Sequence, residues 1–260
     1  MPPLLDNKNP GAKSVFVPSA LLREARRQKG LATVNVPSVC VLDPDGDIVR
    51  WLKSTGQAHI ANDWPCYHSE LYTFAIGSHV AGIVGCAVGA PFAVLIAEEL
   101  FACGCELLIS VTSAGQITSA GKPPYFVVID RALRDEGTSY HYTAPSEYSD
   151  ADPRLIAMAV RALKAKGLNV VTGPSWTTDA PFRETEEAIA AARSHGILAV
   201  EMEAAALYAF ARAASKKVVC LAHVTNTMAV AGQDFEKGEA EGTIAALRVI
   251  EAISGGLSKS

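Results

Sequence analysis

With 260 residues, 49% of them hydrophobic, the chain has enough apolar material for a sizeable core, which excludes a disordered protein. A formal net charge of −4 provides no basic field for a nucleic-acid backbone, and the one arginine-rich stretch, residues 23–29, is short and contains Glu24. A small-molecule partner fits this balance, with no nucleic acid and no membrane.

The start, Met1-Pro2-Pro3-Leu4-Leu5-Asp6, lacks the charged opening and continuous apolar run of a secretory signal, so a cytoplasmic protein is expected. Ser19 can cap a helix over 19–29 that stops at Gly30. An apolar run over 36–42 predicts a buried strand leading into the turn Asp43-Pro44-Asp45-Gly46-Asp47. Further strands are predicted at 71–76, 82–88, 106–111, 125–129, 168–172, 198–201 and 218–225. Between them, apolar residues three and four apart predict helices over 91–102, 153–166 behind Asp150 or Asp152, 184–194, 204–215 and 239–253.

The uncharged segment 80–97 reaches the length of a membrane span. Gly82, Gly85, Gly89 and Pro91 would break one helix there, so the segment reads as a strand, a glycine turn and a buried helix. Six cysteines at 40, 66, 86, 103, 105 and 220 form no C-x-x-C pair and read as reduced core residues; no metal site is expected. Strands alternating with helices predict an α/β fold, a single domain over 36–260 after an N-terminal arm over 1–35. Its sheet should be mixed but mostly parallel, with helices on both faces and ligands at the carboxyl ends of its strands.

Glu201-Met202-Glu203 falls at such an end, between the apolar run 198–200 and the alanine-rich helix from Ala204. Carboxylates at a buried strand end need donors; sugar hydroxyls supply them, and Met202 offers an apolar face to the ring. Glu203 could instead simply favour the helix N-terminus, which leaves Glu201 unexplained.

The run Val200-Glu201-Met202-Glu203-Ala204-Ala205-Ala206-Leu207-Tyr208 resembles the ribose-binding signature of the nucleoside phosphorylases that include uridine phosphorylase and the hexameric purine nucleoside phosphorylases. Gly89-Ala90-Pro91, Ser110 to Ile117 and Arg134-Asp135-Glu136-Gly137-Thr138-Ser139, all ahead of that run, are similar to the family's glycine turn, its central strand with the phosphate loop, and its Arg-x-x-Gly-x-Ser element, in order. The resemblance implies a phosphorylase/hydrolase-like fold, no cofactor, and inorganic phosphate as co-substrate. It also implies a homo-oligomer built on dimers, up to a hexamer.

Carried over residue by residue, the resemblance places phosphate at Gly46, Arg50 and Ser113, and ribose at Glu201, Met202 and Glu203. The base falls to Phe182, Arg183 and Asn226, with Arg50, Glu203 and Asn226 as catalytic groups. Glycine lets backbone approach an oxyanion and guanidinium grips it in two places, although the same residues read alone make a tight turn and a surface arginine. Asp179 and Arg183 could likewise pair structurally, and Asn226 could cap the following turn.

Three positions depart from the pattern. Ser110 stands where the family commonly has a phosphate-binding arginine, and Asn62 near where a second arginine reaches across from a neighbouring subunit. Asn226 replaces the aspartate that protonates a purine, which favours a pyrimidine nucleoside. Phosphorolysis to free base and ribose 1-phosphate is the leading expectation. A nucleoside hydrolase of the same fold and a non-catalytic nucleoside-binding or storage protein are the alternatives.

Overall fold

The computed structural model describes residues 4–228 and 236–257. In chain order it contains α1 (Pro18–Lys29), β1 (Val39–Asp43), α2 (Asp47–Ser54), β2 (His59–Ile60), β3 (Tyr72–Ile76), β4 (His79–Gly85) and α3 (Ala90–Ala102). There follow β5 (Leu107–Gln116), β6 (Tyr125–Asp135), β7 (Tyr148–Asp150), α4 (Pro153–Ala165), β8 (Val171–Thr178) and α5 (Glu186–Ser194). The chain ends with β9 (Ala199–Glu201), α6 (Ala204–Ala214), β10 (Lys217–Thr227) and α7 (Thr243–Leu257).

One sheet organises the molecule. β5 pairs with β10, β10 with β6, β6 with β8, β8 with β9, and β9 returns to β5, which closes five strands into a ring. From β5 the sheet extends outward through β1, β4, β3 and β2. The β1–β4, β1–β5, β5–β10, β6–β8 and β8–β9 pairings are parallel, but β10–β6, β5–β9, β6–β7, β3–β4 and β2–β3 are antiparallel. The sheet is therefore mixed rather than mostly parallel, and closure was not visible in the strand signals because pairing partners far apart in sequence leave no local pattern.

β5 is buried along nearly its whole length, as expected of a strand covered on both sides. The run 80–97 divides as its glycines and proline require: β4 ends at Gly85, Gly89 turns the chain at φ 86°, and α3 begins at Ala90. α3 buries Ala93, Val94, Ile96, Ala97 and Leu100 in the main core, and no helix among the described residues is long and apolar enough to cross a membrane. It packs on α6, where Phe101 and Phe210 meet at 5.8 Å, and on α1, whose Leu22 and Ala25 are buried. Thus the helix inside the 1–35 segment is docked on the core, and Gly30 ends it in the left-handed conformation.

Local differences have physical causes. Asp152 caps α4 by accepting from the Arg154 amide at 2.8 Å. The turn at Gly46 passes directly into the eight-residue α2, too short for a periodic signal, so Arg50 lies on a helix and not in a loop. β8 runs later than predicted, over Val171–Thr178, held by parallel registry with β6 from Val127 to Asp135. Five cysteines are buried as expected, but Cys86 is exposed, at φ 61° in the β4–α3 turn.

Candidate active site

The ends of β1, β4, β5, β9 and β10 converge on one region. Registry places Ser113 of β5 beside His223 of β10, and Gly115 between Asn226 of β10 and Val200 of β9. Residues that are distant in sequence therefore meet here: the Asp43–Arg50 turn, Thr112-Ser113, Glu201 to Glu203 and Asn226.

The two glutamates differ sharply although they are two residues apart. Glu201 accepts from Ser175 Oγ at 2.9 Å, Thr177 Oγ1 at 2.5 Å and the amides of Glu203 and Ala204 at 2.7 Å each. Four donors saturate a carboxylate. Glu201 thus serves the N-terminus of α6, the helix-supporting role that the sequence suggested for Glu203.

Glu203 has only one such tie. Its Oε1 accepts from the Gly89 amide at 2.7 Å, while Oε2 is buried without a hydrogen-bond partner among the described residues. Burial first, then the charge of Glu201, pushes its pKa well above the usual carboxylate range, against the Gly89 amide and the nearby Thr112 hydroxyl. Met202 between them is half-buried.

Gly46, Arg50 and Ser113 are brought into one neighbourhood. Gly46 sits at φ 76°, and a Cβ there would lie 2.6 Å from Cys86 Sγ and 2.8 Å from Arg50 Nη1, so the close approach requires glycine. Arg50 is paired with Asp47, which also accepts from Lys237 Nζ at 2.5 Å. Ser113 donates both its amide and its hydroxyl to Asp45, each at 2.7 Å.

Asp43, Asp45, Asp47, Thr112, Ser113, His223 and Lys237 line a cavity of about 20 Å³. Burial, reinforced by the charges of Asp45 and Asp47, raises Asp43 to about 7, against the Val49 amide it accepts at 2.9 Å. Burial, then the Lys237 charge, lowers His223 to about 4, and the imidazole stacks on Phe126 at 4.5 Å. Ser110, in the expected arginine position, is buried with its hydroxyl unpartnered, and Asn62 is exposed. Asp45, His223 and Lys237 were not recognised as site residues in the sequence. Only Asp45 had a signal there, an acidic run around the very glycine expected to meet an anion.

The residues expected to bind a base are less assembled. Phe182 and Arg183 lie in a 3-10 turn with both side chains exposed, Phe182 at 98%. The Asp179–Arg183 pair does not form among the described residues; Asp179 instead accepts from the Gly137 amide at 2.8 Å. Asn226 lines a cleft of about 740 Å³ with Gln116, Thr225, Thr227 and Glu236. Its amide lies 3.8 Å from Met228 Sδ, a contact with a side chain and not a turn cap.

Comparison with known proteins now bears on this geometry. The sequence profile of the phosphorylase superfamily matches residues 22–254. The chain belongs to the phosphorylase superfamily. Guanosine phosphorylase of Halorubrum lacusprofundi is 29% identical over 125 residues, 48% of this chain and 52% of that protein, so the chain spans about half of that relative's length. A DeoD-type purine nucleoside phosphorylase of Yersinia enterocolitica is 29% identical over 163 residues, 62% of this chain and 67% of the relative. The crystal structure of uridine phosphorylase from Vibrio fischeri, complexed with 6-hydroxy-1-naphthoic acid, superposes with a TM-score of 0.70. It is 22% identical, and the match covers 87% of this chain and 93% of that one, a likeness of fold. The superfamily match begins inside the segment read as an N-terminal arm, at the buried Leu22 of α1.

Proposed function

We propose that this chain cleaves the N-glycosidic bond of a nucleoside, with Glu203 holding the ribose through its hydroxyls and Met202 lying against the sugar. The observation that carries this reading is Glu203 Oε2, a buried carboxylate oxygen with no hydrogen-bond partner among the described residues. Such an oxygen costs about 1–3 kcal/mol unless a ligand satisfies it, and a sugar diol brings the donors it lacks. Glu201, with its oxygens already occupied, positions the strand-to-helix junction and leaves the sugar to Glu203.

Cleavage of the C1′–N bond places positive charge on the sugar and negative charge on the base. The ionised Glu203 stabilises the first, and the Asn226 amide, with Arg183 and Phe182 closing over the base, stabilises the second. An amide cannot supply a proton to a purine ring nitrogen, which favours a pyrimidine nucleoside for this chain, whereas the guanosine and purine names belong to its relatives. No cofactor enters this chemistry. A dimer-based homo-oligomer remains part of the reading, since the exposed Phe182 and Arg183 would gain a cover from a neighbouring subunit.

Phosphate is the nucleophile that the superfamily supports, held by Gly46, Arg50 and Ser113. Water is a second reading, favoured because both Ser113 donors already hold Asp45. Base release from a panel of purine and pyrimidine nucleosides tests the common core of both readings: the wild type should release base and Glu203→Ala should not. Equal turnover by the two proteins would remove Glu203 from the ribose.

A further inference from the structure

Resting on that reading of N-glycosidic cleavage, we infer that Asp45 replaces phosphate in the Ser113 cradle and activates a water molecule, which makes the chain a nucleoside hydrolase. Four observations carry the assignment.

The first is occupancy of the donors. The Ser113 hydroxyl is the group that the resemblance assigns to a phosphate oxygen, and both it and the Ser113 amide donate to Asp45 at 2.7 Å. A charge-assisted pair of this length is strong, and an external anion must break it before binding.

The second is charge. Asp43, Asp45, Asp47 and Glu241 face the cavity, against Lys237 from the same wall and Arg50 beside Gly46. Both cations are paired with Asp47. Ser110 brings no charge where an arginine is expected, and His223 is neutral above a pH of about 4. A phosphate dianion would enter among carboxylates with no uncommitted cation among the described residues of this wall, and like charges at such range repel.

The third is size. About 20 Å³ beside Asp45, Thr112 and Ser113 accommodates roughly one water, for which ~10–15 Å³ suffices. The polar lining from Asp45, Thr112 and Ser113 supplies the partners that a water requires.

The fourth is proximity to the sugar site. The negative charge of Asp45 is close enough to Glu203 to help raise its pKa, and Thr112 borders both the cavity and Glu203.

Water oxygen forms a bond to C1′ while the C1′–N bond breaks, and the base departs with that electron pair and takes a proton from solvent. Asp45 accepts the proton lost by the attacking water and returns it to solvent when ribose leaves. Ser113 is a positioning residue, keeping the Asp45 carboxylate turned towards the cavity. General-base assistance of this kind contributes about 10²–10⁴-fold.

The test follows the sugar product from the wild-type protein and a nucleoside panel, with and without inorganic phosphate. The expected result is base release at the same rate in both buffers, with free ribose as the product. Release that requires phosphate and yields ribose 1-phosphate would overturn the inference while leaving the proposed glycosidic cleavage intact. No release from any nucleoside in either buffer would overturn both.

Two variants probe the residue. Asp45→Asn keeps an acceptor for Ser113 but cannot take a proton, so kcat should fall about a hundredfold, with the acid limb of its pH profile lost and KM within about twofold. Ser113→Ala should lower kcat severalfold and preserve the shape of that profile. Titration with inorganic phosphate alone should show no binding to the wild type and measurable binding to Asp45→Ala. Unchanged kcat in Asp45→Asn, or tight phosphate binding by the wild type, would contradict the assignment.

Discussion

The two halves of the candidate site, the 201–203 junction and the 43–50 turn, handle buried carboxylates in opposite ways. At the junction, Glu201 is satisfied by four donors, whereas its neighbour Glu203 has a buried oxygen with no hydrogen-bond partner among the described residues. At the turn, the carboxylates are themselves the guests: Asp45 takes both Ser113 donors, and Asp47 takes Arg50 and Lys237. In the proposed reading, the sugar meets a carboxylate oxygen without a partner among the described residues, while the anion meets a Ser113 that already donates to Asp45. The two halves are built on different strands, with Glu203 following β9, Asp45 following β1 and Ser113 on β5, and Thr112 lies at their border, so one half can change without the other.

The largest expected effect lies at the junction. Glu203→Ala should lower kcat/KM for a nucleoside by roughly a hundredfold or more, the loss of charged hydrogen bonds worth about 3 kcal/mol. Glu201→Ala should instead unfold the junction, with four buried donors losing their acceptor and stability in urea falling by about 3 kcal/mol or more. The comparison breaks if Glu203→Ala is the variant that loses stability and Glu201→Ala the one that folds normally with only turnover impaired.

Much of the junction was legible in the sequence because its meaning is local. Glu201-Met202-Glu203 follows an apolar strand and precedes an alanine-rich helix, and that order alone puts carboxylates at a buried strand end. What could not be read was the division of labour between them, since it depends on Ser175 and Thr177 of β8 and on Gly89, supplied by remote segments. The same limit hid the ring closure of the sheet, as well as His223 and Lys237. The turn was legible as a glycine turn near an arginine, but only the contact between Asp45 and Ser113, 68 residues apart, showed that its cradle is occupied. Phe182 and Arg183 were singled out by chemistry and order alone, and they stand exposed in the structure.

A pH experiment sharpens the contrast further. The folded Asp43 keeps its proton up to about pH 7, whereas its ordinary value is 3.8, so between those values the unfolded chain gives up the proton first. Stability should therefore fall as pH rises from about 4 to 7, and Asp43→Asn should remove ~2–4 kcal/mol of that fall. Difference melting curves of the two proteins across this range measure it, and parallel curves would remove Asp43 as the cause.

A smaller effect is expected on sugar affinity. The raised pKa of Glu203 leaves it protonated in the free protein at neutral pH, and hydroxyl donors favour its ionised form in the complex. Ribose binding should therefore release a proton and tighten as pH rises, by up to about tenfold per unit until Glu203 ionises in the free protein. Calorimetry in buffers of different ionisation enthalpy reads the proton directly, and Glu203→Gln should abolish the release.

The central claim is that Glu203 holds the ribose of a nucleoside whose glycosidic bond is cut. Its most direct test is nucleoside binding and base release by the wild type and Glu203→Ala, measured side by side after their melting temperatures have been matched. The expected result is binding and release by the wild type, with loss of both in a variant that remains folded. Undiminished binding and release in Glu203→Ala would contradict it.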